Sequence, residues 1–86
     1  MDNDNVFESA NFEICIHQVL CTIKIMYDTI EISKLLGEHD PFDIRSKGEF
    51  RAIKKLYRSI YRPYMPAAHV DEAVRRAMEL YKEESA

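Results

Sequence analysis

The sequence is poor in glycine and lacks long hydrophobic runs. Its 86 residues include two glycines, three prolines and no tryptophan, and two glycines are too few for the glycine-rich loops that bind dinucleotides or phosphates. The longest uninterrupted apolar runs, such as residues 14–16, have three residues, whereas a membrane helix needs about 20. These absences exclude such nucleotide-binding classes and predict that the chain makes no membrane contact.

Cysteine is also scarce, with one residue at position 15 and one at position 21. On a common helix the Cα atoms of Cys15 and Cys21 would be about 9 Å apart, beyond the roughly 7 Å that a disulfide spans. We expect two reduced thiols and a cytoplasmic location, with a disulfide between two chains as the alternative. The acidic start Met1–Asn5 lacks the basic segment of a secretory signal and favours the same location.

Charge changes sign along the chain. Residues 1–41 contain eight acidic and two basic side chains, residues 42–64 contain seven basic and two acidic ones, and residues 65–86 contain five acidic and three basic ones, which gives the net charge of −3. A polarity of this kind is informative about binding partners.

The first half of the chain predicts one long helix. Residues 1–10 are polar and acidic, and we expect a flexible arm there, followed by a single helical domain over residues 11–86. Residues 12–36 contain neither glycine nor proline, and Gly37 is predicted to end the helix. At about 100° per residue, the core stripe comprises Phe12, Ile16, Val19, Leu20, Ile23, Met26, Tyr27 and Ile30. The alternative is extended structure, because residues 12–16 and 29–33 alternate with period two.

Two further helices follow. Ser46 and Glu49 have the spacing of a capping box at the start of the second helix, and Pro63 and Pro66 end it. Pro66 also suits the start of the third helix, where Asp71 with Arg75 and Glu72 with Arg76 are predicted to pair. The second buried stripe comprises Phe50, Ile53, Tyr57, Ile60, Tyr61 and Tyr64, and the third comprises Val70, Ala73, Val74, Ala77, Leu80 and Tyr81. The prediction is an all-α, three-helix domain.

A second apolar stripe lies on the rear of the first helix. It comprises Ile14, Cys21, Ile25 and Ile32, and a helix that is apolar on two sides must be covered on two sides. Isologous pairing is the commonest solution, so these residues are predicted to mediate self-association into a homodimer. The alternative is that the other two helices straddle the first and bury both stripes.

The second helix has a basic stripe. Steps of three or four residues place Lys47, Arg51, Lys55, Arg58 and Arg62 in one row with Lys54 beside it. We interpret the row as the contact surface of a non-catalytic protein-binding adaptor, inhibitor or regulatory protein with an acidic partner. One alternative is a nucleic-acid-binding regulator that contacts phosphates through the same side chains, although the pI of about 5.6 is low for that class. The other is a solvated face balanced by the chain's own acidic segment.

Catalysis and metal binding have little support. His17 and Cys21 are spaced as a helical ligand pair, but Cys15 would point elsewhere and the sequence places no fourth ligand. Capping explains Asp40 and Asp43, which lie beside Glu38 and His39, without acid–base chemistry. We therefore predict that the protein is not an enzyme and takes no metal or other cofactor.

Overall fold

The computed structural model describes residues 10–39, 45 and 47–85. They form four α-helices: α1 (Ala10–Met26), α2 (Thr29–Glu38), α3 (Gly48–Tyr61) and α4 (Ala67–Ser85). The described residues contain no β-strand, so the all-α class is confirmed and the extended alternative is wrong. Within this part of the chain, no helix combines the length and apolar character needed to cross a membrane. Residues 1–9 of the predicted acidic arm lie outside the described residues.

The predicted long helix is divided at Tyr27 and Asp28, so the prediction of three helices is wrong. Asp28 has an extended backbone, and its carboxylate accepts a hydrogen bond of 2.8 Å from the Glu31 N–H. This N-cap arrangement typically stabilises a helix start by about 1 kcal/mol. The Tyr27 carbonyl instead accepts a hydrogen bond of 2.8 Å from the Tyr81 hydroxyl. The end of α4 therefore secures the junction between α1 and α2.

The break changes which side chains reach the core. In α2, Ile32 and Leu35 are buried, whereas Met26 and Ile30, which the sequence placed on the core stripe, are exposed. Gly37 does not end the helix, because α2 continues to Glu38. The direction of the chain after residue 28 is thus set by the cap of α2 and not by continuation of the α1 periodicity.

Prolines mark the end of α3 and the start of α4. Lys47 is the N-cap of α3 and makes no side-chain capping bond; Ser46, the predicted capping residue, lies outside the described part of the chain. α3 ends at Tyr61, before Pro63, as predicted. The Pro66 carbonyl then accepts hydrogen bonds from the His69 and Val70 N–H groups at 3.0 and 3.2 Å, which confirms Pro66 as the start of the last helix.

α4 lies at the centre of the fold. It contacts α1, α2 and α3, and its contact with α1 is the most extensive. Its predicted stripe is confirmed, with Val70, Ala73, Val74 and Ala77 fully buried and Leu80 and Tyr81 partly buried. The stripe of α3 is confirmed for Phe50, Ile53, Tyr57 and Tyr61, but Ile60 and Tyr64 remain exposed. α4 packs against the buried sides of α1 and α3, so the other sides of these two helices stay exposed to solvent.

Candidate functional site

The predicted basic stripe lies along one flank of α3, and we call it the basic flank. It comprises Lys47, Arg51, Lys55, Arg58 and Arg62, all of which are exposed. At 1.5 Å per residue the row is about 22 Å long. Among the described residues, no acidic side chain forms an ion pair with Lys47, Arg51, Lys55 or Arg62. The basic flank therefore presents four positive charges to solvent without a described internal counter-charge.

Arg58 differs from the rest of the basic flank because it binds Asp71 of α4. Its Nε donates a hydrogen bond of 2.9 Å to Asp71 Oδ1, and its Nη2 donates a second bond to Oδ2. These bonds are the main cause of a raised pKa for the Arg58 guanidinium. Such a two-pronged contact is the strong form of an arginine–carboxylate pair. Arg58 thus joins α3 to α4 and is the least available of the five bases.

The two predicted ion pairs of α4 have different outcomes. Asp71 binds Arg58 across the helices, and Arg75 binds Glu72 and Glu79. Glu72 does pair with Arg76, at 3.4 Å, and also with Arg75, at 2.6 Å. Arg58 lies on the neighbouring helix α3 and reaches Asp71 with two hydrogen bonds.

Lys54 was placed beside the basic stripe but does not belong to the exposed surface. Its exposed fraction is 5%, and it lies among the buried residues of α3. On the helical wheel, Lys54 falls between the core residue Phe50 and the basic flank, where a lysine stem packs along apolar surface. It is therefore excluded from the contact surface.

The rear face of α1 is exposed over most of its length. Ile14 has 47% and Ile25 85% of its surface exposed, and Cys21 is an exposed free cysteine. Ile32, predicted to continue this face, is fully buried in α2, because the chain turns at Asp28. The rear face therefore comprises Ile14, Cys21 and Ile25, and the placement of Ile32 on it is wrong.

Between the rear face of α1 and α3 lies an open, mainly apolar groove of about 440 Å³, which we call the α1/α3 groove. It is lined by Ile14, His17, Gln18, Cys21, Tyr57 and Ile60. The apolar pattern of α1 predicts Ile14 and Cys21 on this surface but not the contribution of α3. Ile60 is the residue of α3 that could have indicated the groove. Its position beside α1 depends on the packing of α1 against α3, which are far apart in sequence.

Hydrogen bonds hold the two walls of the groove together. The Tyr61 hydroxyl donates to Gln18 Oε1 at 2.7 Å, and the Tyr57 hydroxyl lies 2.6 Å from the Thr22 hydroxyl. The Tyr57 hydroxyl also donates to the Gln18 backbone carbonyl at 3.3 Å. Because both tyrosine rings are buried and their hydroxyl groups have partners, α1 and α3 form a preorganised surface.

The residues considered for metal binding or catalysis do not converge. Cys15 is buried, and burial raises the pKa of its thiol to about 11, while Cys21 faces solvent. In the described part of the chain, no group of three His, Cys, Asp or Glu side chains is arranged to hold a metal ion. Asp40 and Asp43 lie outside the described residues.

Glu38 and His39 border a wide concavity of about 810 Å³ between the end of α2 and α4. The remaining lining residues are Leu36, Gly37, Arg75, Glu79, Lys82 and Glu83. Most of its charged groups lie on α4, where Arg75 already pairs with Glu72 and with Glu79, the latter at 2.5 Å. This side of the molecule shows a network of surface ion pairs.

Comparison with known proteins finds no matching family model, curated protein or solved structure. Function is therefore inferred from the two surfaces, the basic flank and the rear face with its groove.

Proposed function

We propose that the protein is a small non-catalytic binding module, an adaptor, inhibitor or regulatory protein, that contacts an acidic protein partner through the basic flank of α3. The observation that supports this function is the row of exposed bases, four of which (Lys47, Arg51, Lys55 and Arg62) have no described internal counter-charge. Like charges three or four residues apart on a helix repel one another by a few tenths of a kcal/mol per pair. A partner's carboxylates would offset this repulsion.

The surroundings of the basic flank favour an acidic protein over nucleic acid. Asp71 at the start of α4 places a carboxylate beside the row, as the Arg58–Asp71 contact shows. An extended phosphate backbone would meet this carboxylate, whereas a protein surface can match alternating signs. The low overall pI of about 5.6 points the same way, because nucleic-acid-binding domains usually exceed about 9.

The test measures binding of two defined probes by fluorescence anisotropy at about 50 and 200 mM salt. The probes are a labelled poly-glutamate peptide and a labelled DNA duplex. We expect the protein to bind the peptide, and the double variant Arg51→Glu/Lys55→Glu to bind it about tenfold or more weakly, because two attractions become repulsions.

A matched control separates the basic flank from net charge. The variant Lys34→Glu/Lys82→Glu makes the same change in total charge on exposed side chains of α2 and α4, and we expect it to bind the peptide nearly as well as the original protein. Equal losses in the two variants, or no peptide binding at either salt, would contradict the proposal. Tight, steeply salt-dependent binding of the duplex alone would favour the nucleic-acid alternative instead.

We further propose that the chain forms a homodimer through the rear face of α1, now restricted to Ile14, Cys21 and Ile25. The support is the exposure of two isoleucines on one helix face, since burying each is worth about 1.5 kcal/mol or more. Sedimentation equilibrium should give twice the chain mass of 10.1 kDa. Ile25→Glu should give the single mass with unchanged helix content, and a dimer that tolerates this substitution would contradict the proposed face.

A further inference from the structure

The exposed stripe of α1 has the same spacing in both directions. Ile14, Gln18, Cys21 and Ile25 are all exposed and follow one another in steps of four, three and four residues. If a second α1 is laid antiparallel about a two-fold axis, Ile14 comes opposite Ile25 of the second copy and Gln18 comes opposite Cys21. The apolar ends thus meet apolar ends, and the polar Gln18 meets the small Cys21 between them.

Charge also distinguishes antiparallel from parallel pairing. Glu13 and Lys24 lie on the same side of this stripe and are both exposed. In the antiparallel register, Lys24 of the second copy is level with residue 15, between Glu13 and His17. Lys24 of each copy therefore lies near Glu13 of the other copy. In a parallel two-fold pair, the flanks that carry Glu13 and Lys24 would lie on opposite sides of the interface, so this attraction would be absent. Lys24 also forms a half-exposed ion pair with Glu84 of its own chain, at 3.5 Å.

The α1/α3 groove provides a place for the most exposed isoleucine. Ile25, with 85% of its surface exposed, lies beyond the groove of its own chain. In the antiparallel register, Ile25 of the second copy reaches the Ile14 end of the groove. Insertion of an apolar side chain into a pocket on the facing surface is typical of close-packed helix interfaces. The symmetry makes the same contact twice.

We propose that two copies pair antiparallel through Ile14, Gln18, Cys21 and Ile25 of α1, with Ile25 of each copy in the α1/α3 groove of the other. This inference rests on the proposed self-association and adds its register, its orientation and the contribution of α3. It predicts that Ile60 is buried on dimer formation, although it lies on a different helix from the rear face.

Disulfide trapping tests the register. In the original protein the two Cys21 residues are offset by three residues, about 4.5 Å along the helix axes, so a bridge between them is less favourable than one between directly opposed positions. In Gln18→Cys the new thiol faces Cys21 of the second copy. We expect mild oxidation to give much more reducible dimer band for Gln18→Cys than for the original protein. The matched control Gln18→Cys/Cys21→Ser should give no more than the original protein, because the two new thiols are offset in the same way.

Gln18→Cys also removes the hydrogen bond from Tyr61 to Gln18, so a second variant that keeps Gln18 serves as a control. Ile14→Cys/Ile25→Cys/Cys21→Ser changes only exposed side chains and should also give a cross-linked dimer, because positions 14 and 25 face each other. If the original protein sediments as a dimer but neither trapping variant cross-links, the register is wrong and self-association stands. If the original protein sediments as a monomer at about 100 µM, far above the dissociation constants of stable dimers, both proposals fail.

Discussion

The contact between Arg58 and Asp71 makes a quantitative prediction, because its two side chains differ in exposure. The Asp71 side chain is 10% exposed, whereas the Arg58 side chain is 45% exposed. Arg58→Met keeps the aliphatic stem but leaves a nearly buried carboxylate without its cation. Asp71→Asn keeps the shape of the side chain and leaves a guanidinium that water can reach. We therefore expect Arg58→Met to be the more destabilising substitution.

The magnitudes follow from this asymmetry. Removing one partner of a fully buried pair costs about 3–5 kcal/mol, and water on the Arg58 side lowers this to about 2 kcal/mol. Asp71→Asn should cost about 1 kcal/mol or less, as at exposed pairs. For a chain of this size, 1 kcal/mol corresponds to about 4–8 °C in Tm. Urea and thermal unfolding followed by circular dichroism resolve such a difference.

The double variant Arg58→Met/Asp71→Asn provides the decisive comparison. It lacks the buried charge that destabilises Arg58→Met, so it should be more stable than Arg58→Met alone, with a coupling energy measurable by the double-mutant cycle. Arg51→Met, on the same flank without a described ion pair, should change stability by less than about 0.5 kcal/mol. The reasoning is refuted if Asp71→Asn costs as much as Arg58→Met, or if the two costs simply add.

Two further predictions concern the helix junction and the thiols. Asp28→Ala removes the N-cap of α2 and should lower the free energy of unfolding by about 0.5–2 kcal/mol, whereas Asp28→Ser should restore most of the loss; equal stabilities by urea unfolding would show that the cap does not hold the junction. Because burial raises the pKa of Cys15 to about 11, its thiol stays protonated near about pH 8, so a thiol reagent should modify only Cys21. The Cys21→Ser variant should then react only after unfolding, and rapid labelling of the folded variant would contradict the buried position of Cys15.

The second half of the fold was predictable from sequence because its signals are local. Prolines mark the end of α3 and the start of α4, and the apolar residues of α4 from Val70 to Ala77 repeat with the helical period and are fully buried. A pattern of this kind needs no knowledge of the neighbouring helix. The same rule identified the core residues Phe12, Val19 and Ile23 of α1.

The division of the first helix was not predictable in this way. Residues 12–36 contain no glycine or proline, and an aspartate within a helical pattern can lie on the surface or cap a new helix. Asp28 caps α2, and the hydrogen bond from Tyr81 to the carbonyl of Tyr27, 54 residues earlier in the chain, secures the junction. Ile32 was misplaced because its position depends on that long-range contact.

Tertiary contacts also decided which bases belong to the surface. Lys54 and Lys55 are neighbours of the same type, yet Lys54 is buried and Lys55 is exposed. Arg58 and Arg62 are one turn apart, yet only Arg58 lies opposite a carboxylate of α4. Periodicity located the basic row correctly but could not show how α4 packs against it.

The two proposed surfaces lie on opposite flanks of the buried stripe of α3. The basic flank borders α4, as the Arg58–Asp71 contact shows, and Ile60 borders α1 through the groove. A second copy seated on α1 and in the groove therefore leaves the basic flank of both chains uncovered. Such a dimer presents two cationic rows, and a partner with two acidic segments would bind with the added strength of a linked second contact. Because Ile25 and Arg51 lie on different surfaces, a substitution at either one tests its own proposal while the other surface stays intact.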